Sequence, residues 1–316
     1  MAPGRTTSSD TTFRDVEAAA FGVLGELVEH PLLHPREPEV VAALRARVAC
    51  ALRTPYVDAR LATTKSKKAI DPEPPRFRLP RVLSEVSLHD LDGAAGRSGQ
   101  RHPLRFDLGV VHEHATPTLQ LHGAGVTDIK LRLDPAHLAS VLEVKSGAGP
   151  YTDLVAGHRV PRWGPRDLLK LLHAATRLER GFAGIVFVDR VLRYGALTNL
   201  RATKVPSELR LAPPSRKAAR FVLDSPSEPG APWPLTHRSF SWTLPRGLDP
   251  TGQDGRLTLE FEPVSPGSPP PCGSVALWAL GVISKPAGIA PDDPVEVAPR
   301  RWNVSCSPVR AAKDRR

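Results

Sequence analysis

The chain has 316 residues, 41% of them hydrophobic, enough to bury a core as one large domain or two ordinary ones. Its 43 Lys and Arg outnumber 33 Asp and Glu, and the formal charge of +10 favours a polyanionic partner over an acidic one. The cysteines Cys50, Cys272 and Cys306 are odd in number and far apart, which excludes a disulfide framework and a CxxC zinc site and points to a reducing cytoplasm.

The opening residues MAPGRTTSSD lack an apolar signal core, and the longest uncharged apolar run, SVALWALGVIS, is too short to cross a bilayer, so a soluble protein with no membrane partner is expected. From Thr12, with Thr11 or Thr12 as cap, Phe13, Val16, Ala20, Val23, Leu24 and Leu27 recur on one helical face. A second helix is predicted from Glu37 to Arg53, with proline near its start, acids in its first turn and arginines later, as the helix dipole prefers. TKSKKAIDPEPPRFRLP then reads as an exposed basic loop. Strand signals follow at RVLSEVSL, LRFDLGVVHE, VTDIKLRL and ASVLEVKSG, separated by Gly, Asp and Pro. After Gly164-Pro165 comes a helix with an apolar face of Leu168, Leu171, Leu172, Ala175 and Leu178, closing at Gly181, and then a buried-looking strand, FAGIVFVDR.

This order predicts an α/β (α+β) fold, a mixed central β-sheet flanked by helices, over residues 1–195. Residues 196–316 carry most of the 34 prolines and only β fragments, RFVLD, SFSWTLP, GRLTLEFEPV and SVALWALGVIS. They read as a second small β-rich region, or as an elaborated edge of the first, with no assigned role.

The segment VLEVKSG places a carboxylate and an ammonium two positions apart in an apolar strand. Side chains alternate along a strand, so Glu143 and Lys145 share one face while Leu142 and Val144 take the other. In LRFDLGVVHE the same alternation buries Phe106 and Leu108 and sends Asp107 to the opposite face. If the strands are neighbours, Asp107 and Glu143 form a hard oxygen site suited to Mg²⁺, with an ammonium beside it.

These residues resemble the PD-(D/E)xK, or restriction-endonuclease-like, nuclease superfamily. The resemblance rests on Asp107 in RFDLGVV, on Glu143-Val144-Lys145, and on the helix and strand that follow. It covers the first two thirds of the chain, and Asp107 departs from the motif in following Phe106 instead of proline. It implies a restriction-endonuclease-like core and Mg²⁺-dependent (or Mn²⁺-dependent) hydrolysis of DNA, with Asp107 and Glu143 on the metal and Lys145 assisting the water. Many members place a glutamate ahead of the aspartate, for which Glu85 is the first candidate and Glu17 the second. The helix after the triplet makes Arg166 and Lys170 candidate nucleic-acid contacts, within a basic series continued by His173, Arg177 and Arg180.

Each signal also has an ordinary reading. Glu143 and Lys145 could be a surface ion pair, the basic series a solvated helix face, and Asp128-Ile129-Lys130 is a second acid-x-Lys triplet that reads as solvated. The same discount applies to Lys65, Lys67 and Lys68. His112, His114 and His122 read as hairpin histidines, and Trp233, Trp242 and Trp278 as core anchors. A catalytically inactive scaffold binding nucleic acid or protein is the alternative to the nuclease. A small-molecule enzyme is disfavoured, since the chain has no glycine-rich phosphate loop, GxSxG elbow or HExxH motif.

Overall fold

A computed structural model of the chain describes residues 8–34, 36–61, 76–95, 101–122, 130–147, 164–194, 210–211, 219–224, 233–234, 241–242, 256–283 and 296–308. Helix α1 spans Ser8–Glu29 and α2 spans Glu37–Ala51. All six residues of the face expected on α1, from Phe13 to Leu27, are fully buried, as are Val40, Leu44 and Val48 of α2. The start of α2 is held by its own third helical residue, because Glu39 accepts from the backbone N–H of Arg36 at 3.3 Å and from its Nε at 2.8 Å.

The strands are β1 (Tyr56–Leu61), β2 (Arg76–Pro80), β3 (Val82–Ala95), β4 (Arg101–Val111), β5 (Thr118–His122), β6 (Lys130–Leu133), β7 (Leu138–Gly147) and β8 (Phe182–Asp189). Beyond them lie β9 (Arg210–Leu211), β10 (Ala219–Asp224), β11 (Trp233–Pro234), β12 (Ser241–Trp242), β13 (Arg256–Pro263), β14 (Val275–Ile283) and β15 (Glu296–Pro308). Among the described residues one 13-stranded sheet runs β10-β13-β15-β14-β8-β7-β4-β3-β6-β5-β1-β2, with β9 beside β14, while β11 and β12 pair separately. Helix α3 (Gly164–Ala175) makes the crossover between the parallel neighbours β7 and β8, and a single turn, α4 (Arg190–Arg193), follows β8.

The architecture is therefore mixed α+β with few helices, as expected. The sheet does not stop at residue 195, however, because β14 pairs in parallel with β8 and carries β15 and β13 outward from it. The described strands β13, β14 and β15 thus extend the sheet of the first part of the chain. Proline was expected to bar central strands, yet β15 lies between β13 and β14 and contains Pro299. Pro299 pairs with Leu280 beyond the end of β13, whose last partner is Trp302, and Pro308 pairs with Leu257 beyond the end of β14, so β15 has a neighbour on one side only at both positions lacking an N–H.

Helix α1 packs across β8 and β14. The Phe13 ring lies 4.9 Å from Phe182 and 6.1 Å from Trp278, and Gly184 leaves space for the Trp278 indole, which a Cβ at that position would overlap. No helix among the described residues is long and apolar enough to cross a membrane.

Candidate active site

The β4–β7 ladder runs antiparallel from Val111 opposite Leu138 to Leu108 opposite Leu142, and there it ends. β7 continues alongside β8 as far as Gly147 opposite Asp189, and β4 continues alongside β3 through Phe106 and Arg105. The sheet therefore forks just beyond Leu142, and the edge of β7 facing the gap has lost its backbone partner. Unpaired N–H groups there need acceptors. Two carboxylates supply them: Asp107 Oδ2 accepts from the Val144 N–H at 2.8 Å, and Glu37 Oε2 accepts from the Ser146 N–H at 3.1 Å.

Lys145 projects into the same gap. Its Nζ lies 3.2 Å from Glu37 Oε1, 3.4 Å from Glu143 Oε2 and 3.9 Å from Asp107 Oδ2. Burial works against its charge, but the carboxylates of Glu143, Asp107, Asp167 and Glu37 together outweigh that and raise its pKa above the ordinary lysine value. It is a fixed cation. Lys170, from α3, approaches Glu143 on the other side. Its Nζ contacts Glu143 Oε1, donates to the Arg105 carbonyl at 2.8 Å, lies 3.3 Å from Asp167 Oδ1 and sits 5.0 Å from the centre of the Phe106 ring.

Glu143 is the deepest member, 2% exposed between the two ammonium groups. Burial raises its pKa to about 8; Lys170 opposes that rise, and Asp107 adds to it. Four carboxyl groups thus face two ammonium groups, with Glu143 and the lysines in the buried part of the gap and Asp107 and Glu37 nearer its open side.

The structure brings Asp107, Glu143 and Lys145 together. It does not bring Glu85 to them: this side chain is 71% exposed, its backbone is left-handed at φ 53°, and its carboxylate pairs with Arg105 at 3.4 Å. Glu17 is buried elsewhere, where it bonds Arg301 Nη1 at 3.0 Å and the Gly267 N–H at 2.5 Å, tying α1 to the far side of the sheet. The expected basic series does not form one solvated helix face: Lys170 and His173 are buried, and Arg177 and Arg180, both exposed, lie beyond the end of α3 at Ala175. Lys170 stands as a member of the acidic cluster, not as a surface contact. The side chain of Arg166 lies outside the described residues, as do Asp128-Ile129, the Lys65–Lys68 loop and the His122, Trp233 and Trp242 side chains. His112 is half-buried, with its pKa lowered by burial and then by Arg81, Arg180 and His137, and Trp278 is fully buried in the core.

Glu37 and Asp167 belong to the site and were not among the sequence candidates. Glu37 read only as a first-turn acid; Asp167 carried one usable signal, its three-residue spacing from Lys170. Among the described residues no three His, Cys, Asp or Glu side chains are grouped so as to hold a metal ion. The lysines stand between the carboxylates. Mg²⁺ needs only one or two carboxylates with water completing its shell, so the donor chemistry of Asp107 and Glu143 fits it, in competition with Lys170 for Glu143. Comparison with protein-family models, curated proteins and solved structures finds no match.

Proposed function

We propose that the chain is a metal-dependent, nuclease-like protein that hydrolyses DNA phosphodiester bonds at the fork between β4 and β7. The observation that carries this reading is the convergence of Asp107, Glu143 and Lys145 at the end of a β ladder, the arrangement for which the superfamily resemblance was drawn. The mixed sheet, with a helical crossover between β7 and β8, is compatible with a restriction-endonuclease-like core, and the formal charge of +10 suits a polyanion.

In this reading Asp107 and Glu143 hold Mg²⁺, or Mn²⁺ in its place. A divalent cation held there would supply Lewis-acid stabilisation of the phosphoryl oxygens and help to activate the attacking water. Lys145, kept charged by its acidic neighbours, offsets negative charge growing on phosphorus and acts as a cation, not as a base. Glu37 orients Lys145 and closes the β7 edge. Lys170 balances the charge of Glu143 and would have to yield that carboxylate for a cation to be held there.

One observation favours the alternative of a catalytically inactive, nucleic-acid-binding scaffold: the Lys170 ammonium already rests on the carboxylate a metal would need. Plasmid incubated with Mg²⁺ or Mn²⁺ and wild-type, Glu143→Gln or Lys145→Ala protein separates the two. Cleavage by wild type alone supports the nuclease, and equal cleavage by all three removes this site. Salt-sensitive DNA binding that survives Glu143→Gln, with no cleavage by any chain, supports the scaffold.

A further inference from the structure

We propose that Arg193 is the positioning residue that delivers Glu37 to the fork. Glu37 is the first residue of α2, and the connection from α1 that leads to it turns at residues 31–34. That turn includes His34 in the left-handed region at φ 50°, an uncommon conformation for a residue with a side chain. Leu33 N–H closes part of the turn on the His30 carbonyl at 2.9 Å. Three further carbonyls accept from one guanidinium: Arg193 Nε donates to Pro31 O at 2.6 Å, Nη1 to His34 O at 3.1 Å, and Nη2 to Leu33 O.

Arg193 is 2% exposed and is itself anchored to the strands that carry the site. It ends α4, whose turn is held by the Leu192 N–H donating to Asp189 Oδ1 at 3.1 Å, and Asp189 stands opposite Gly147 on β7. The connections form a closed circuit. From β7 they pass through β8 and α4 to Arg193, from its guanidinium to the α1–α2 turn, and from Glu37 back to Lys145 and the Ser146 N–H. Only arginine presents a rigid fork of donors that can hold several carbonyls at once, whereas a lysine ammonium is a compact group on a flexible stem.

This inference takes from the proposed function only the membership of Glu37 in the site, and its test needs neither metal nor nucleic acid. The amides of Val144 and Ser146 lie on the same open edge but are closed by different acids, Asp107 and Glu37. Hydrogen exchange at both is measured by NMR in the wild-type chain, Arg193→Lys, Glu37→Gln and the double variant. Arg193→Lys is expected to lower protection at Ser146 by roughly tenfold and to leave Val144 within about twofold, since the loss is that of one charge-assisted hydrogen bond. Glu37→Gln should do the same, and the double variant should lose no more than either single one.

Equal loss at Val144 and Ser146 would reveal general loosening and overturn the proposal, as would additive losses in the double variant or unchanged protection at Ser146. If Arg193→Lys does not fold, Arg193→Gln is read in the same way, and failure of both to fold assigns Arg193 to the fold as a whole and overturns the role. Selective loss at Ser146 in a protein that neither binds metal nor cleaves DNA would retire the nuclease reading and leave this one standing.

Discussion

Replacing Glu143 by glutamine keeps the shape of the side chain and removes its titration. Burial raises the pKa of Glu143 from the ordinary 4.5 to about 8, and Lys170 only partly opposes that rise. Between those two values the folded chain holds a proton that the unfolded chain has released, so the folded state binds more protons and stability falls as pH rises. The loss begins above pH 4.5 and is complete slightly above pH 8. At about 1.4 kcal/mol per pKa unit, the shift corresponds to roughly 5 kcal/mol as an upper value, and relaxation around a buried charge makes ~2 kcal/mol the smallest loss consistent with this account. Glu143→Gln cannot incur that loss. Urea unfolding of both chains followed by tryptophan fluorescence from pH 4.5 to 9 should give stabilities that diverge with pH, the variant becoming relatively more stable by about 2–5 kcal/mol. Titrating groups that do not interact with Glu143 act equally in the two chains and cancel in the difference, while Lys145, Lys170, Asp107 and Asp167 are coupled to it and their contribution is part of the measured divergence. A difference that stays constant across the range refutes the argument, because Glu143 would then be ionised at little cost and its burial would carry no strain.

His173 titrates in the opposite sense. Burial, and then Arg177, lower its pKa from 6.5 to about 4, so the unfolded chain binds the extra proton and stability is lost as pH falls from 6.5 towards 4, by up to about 3 kcal/mol. His173→Gln should flatten the acid limb of the stability curve measured by urea unfolding, and the same slope in both chains would contradict this. Glu17→Gln leaves the buried Arg301 guanidinium without its carboxylate and should cost about 3–5 kcal/mol in urea unfolding, with much of it recovered in the double variant Glu17→Leu/Arg301→Leu. A loss under ~1 kcal/mol would mean that the link between α1 and β15 contributes little.

What the sequence made legible was periodic. The face of α1 follows from spacing alone and is buried at every expected position, whereas β7 is buried on both faces from Leu138 to Val144, and its alternation shows only in Glu143 and Lys145 meeting on one side of the strand. β2 escaped because RFRLP sits in a proline-rich run, and only its place at the sheet's edge tolerates such flanks. β15 escaped because Pro299 breaks its pattern, and the absence of a second neighbour there depends on how long β13 is. The basic series misled because α3 ends at Ala175, before Arg177 and Arg180, and is covered on more than its apolar stripe, with His173 and Ala174 buried as well as Leu171 and Leu172. Glu37 was hidden for a different reason. Its place at the fork depends on a guanidinium more than 150 residues later in the chain, and no local pattern encodes that contact.

The fork itself has an ordinary explanation as far as Asp107 and Glu37 are concerned. A strand edge that loses its partner needs acceptors, and one carboxylate oxygen for each N–H is enough. Glu143 cannot be explained in that way. It is bonded by ammonium groups and not by the backbone, it is almost wholly buried, and burial pushes its pKa up, so the fold holds it at a cost to its own stability. An apolar residue on that face of β7 would complete the strand without that cost only if the lysines were replaced with it, since Lys170 would otherwise stay buried with Asp167 as its remaining carboxylate. A buried acid kept beside two lysines at a point where the sheet opens is what a site for charge-compensated chemistry requires, and structural need at the β7 edge accounts for Asp107 and Glu37 but not for Glu143.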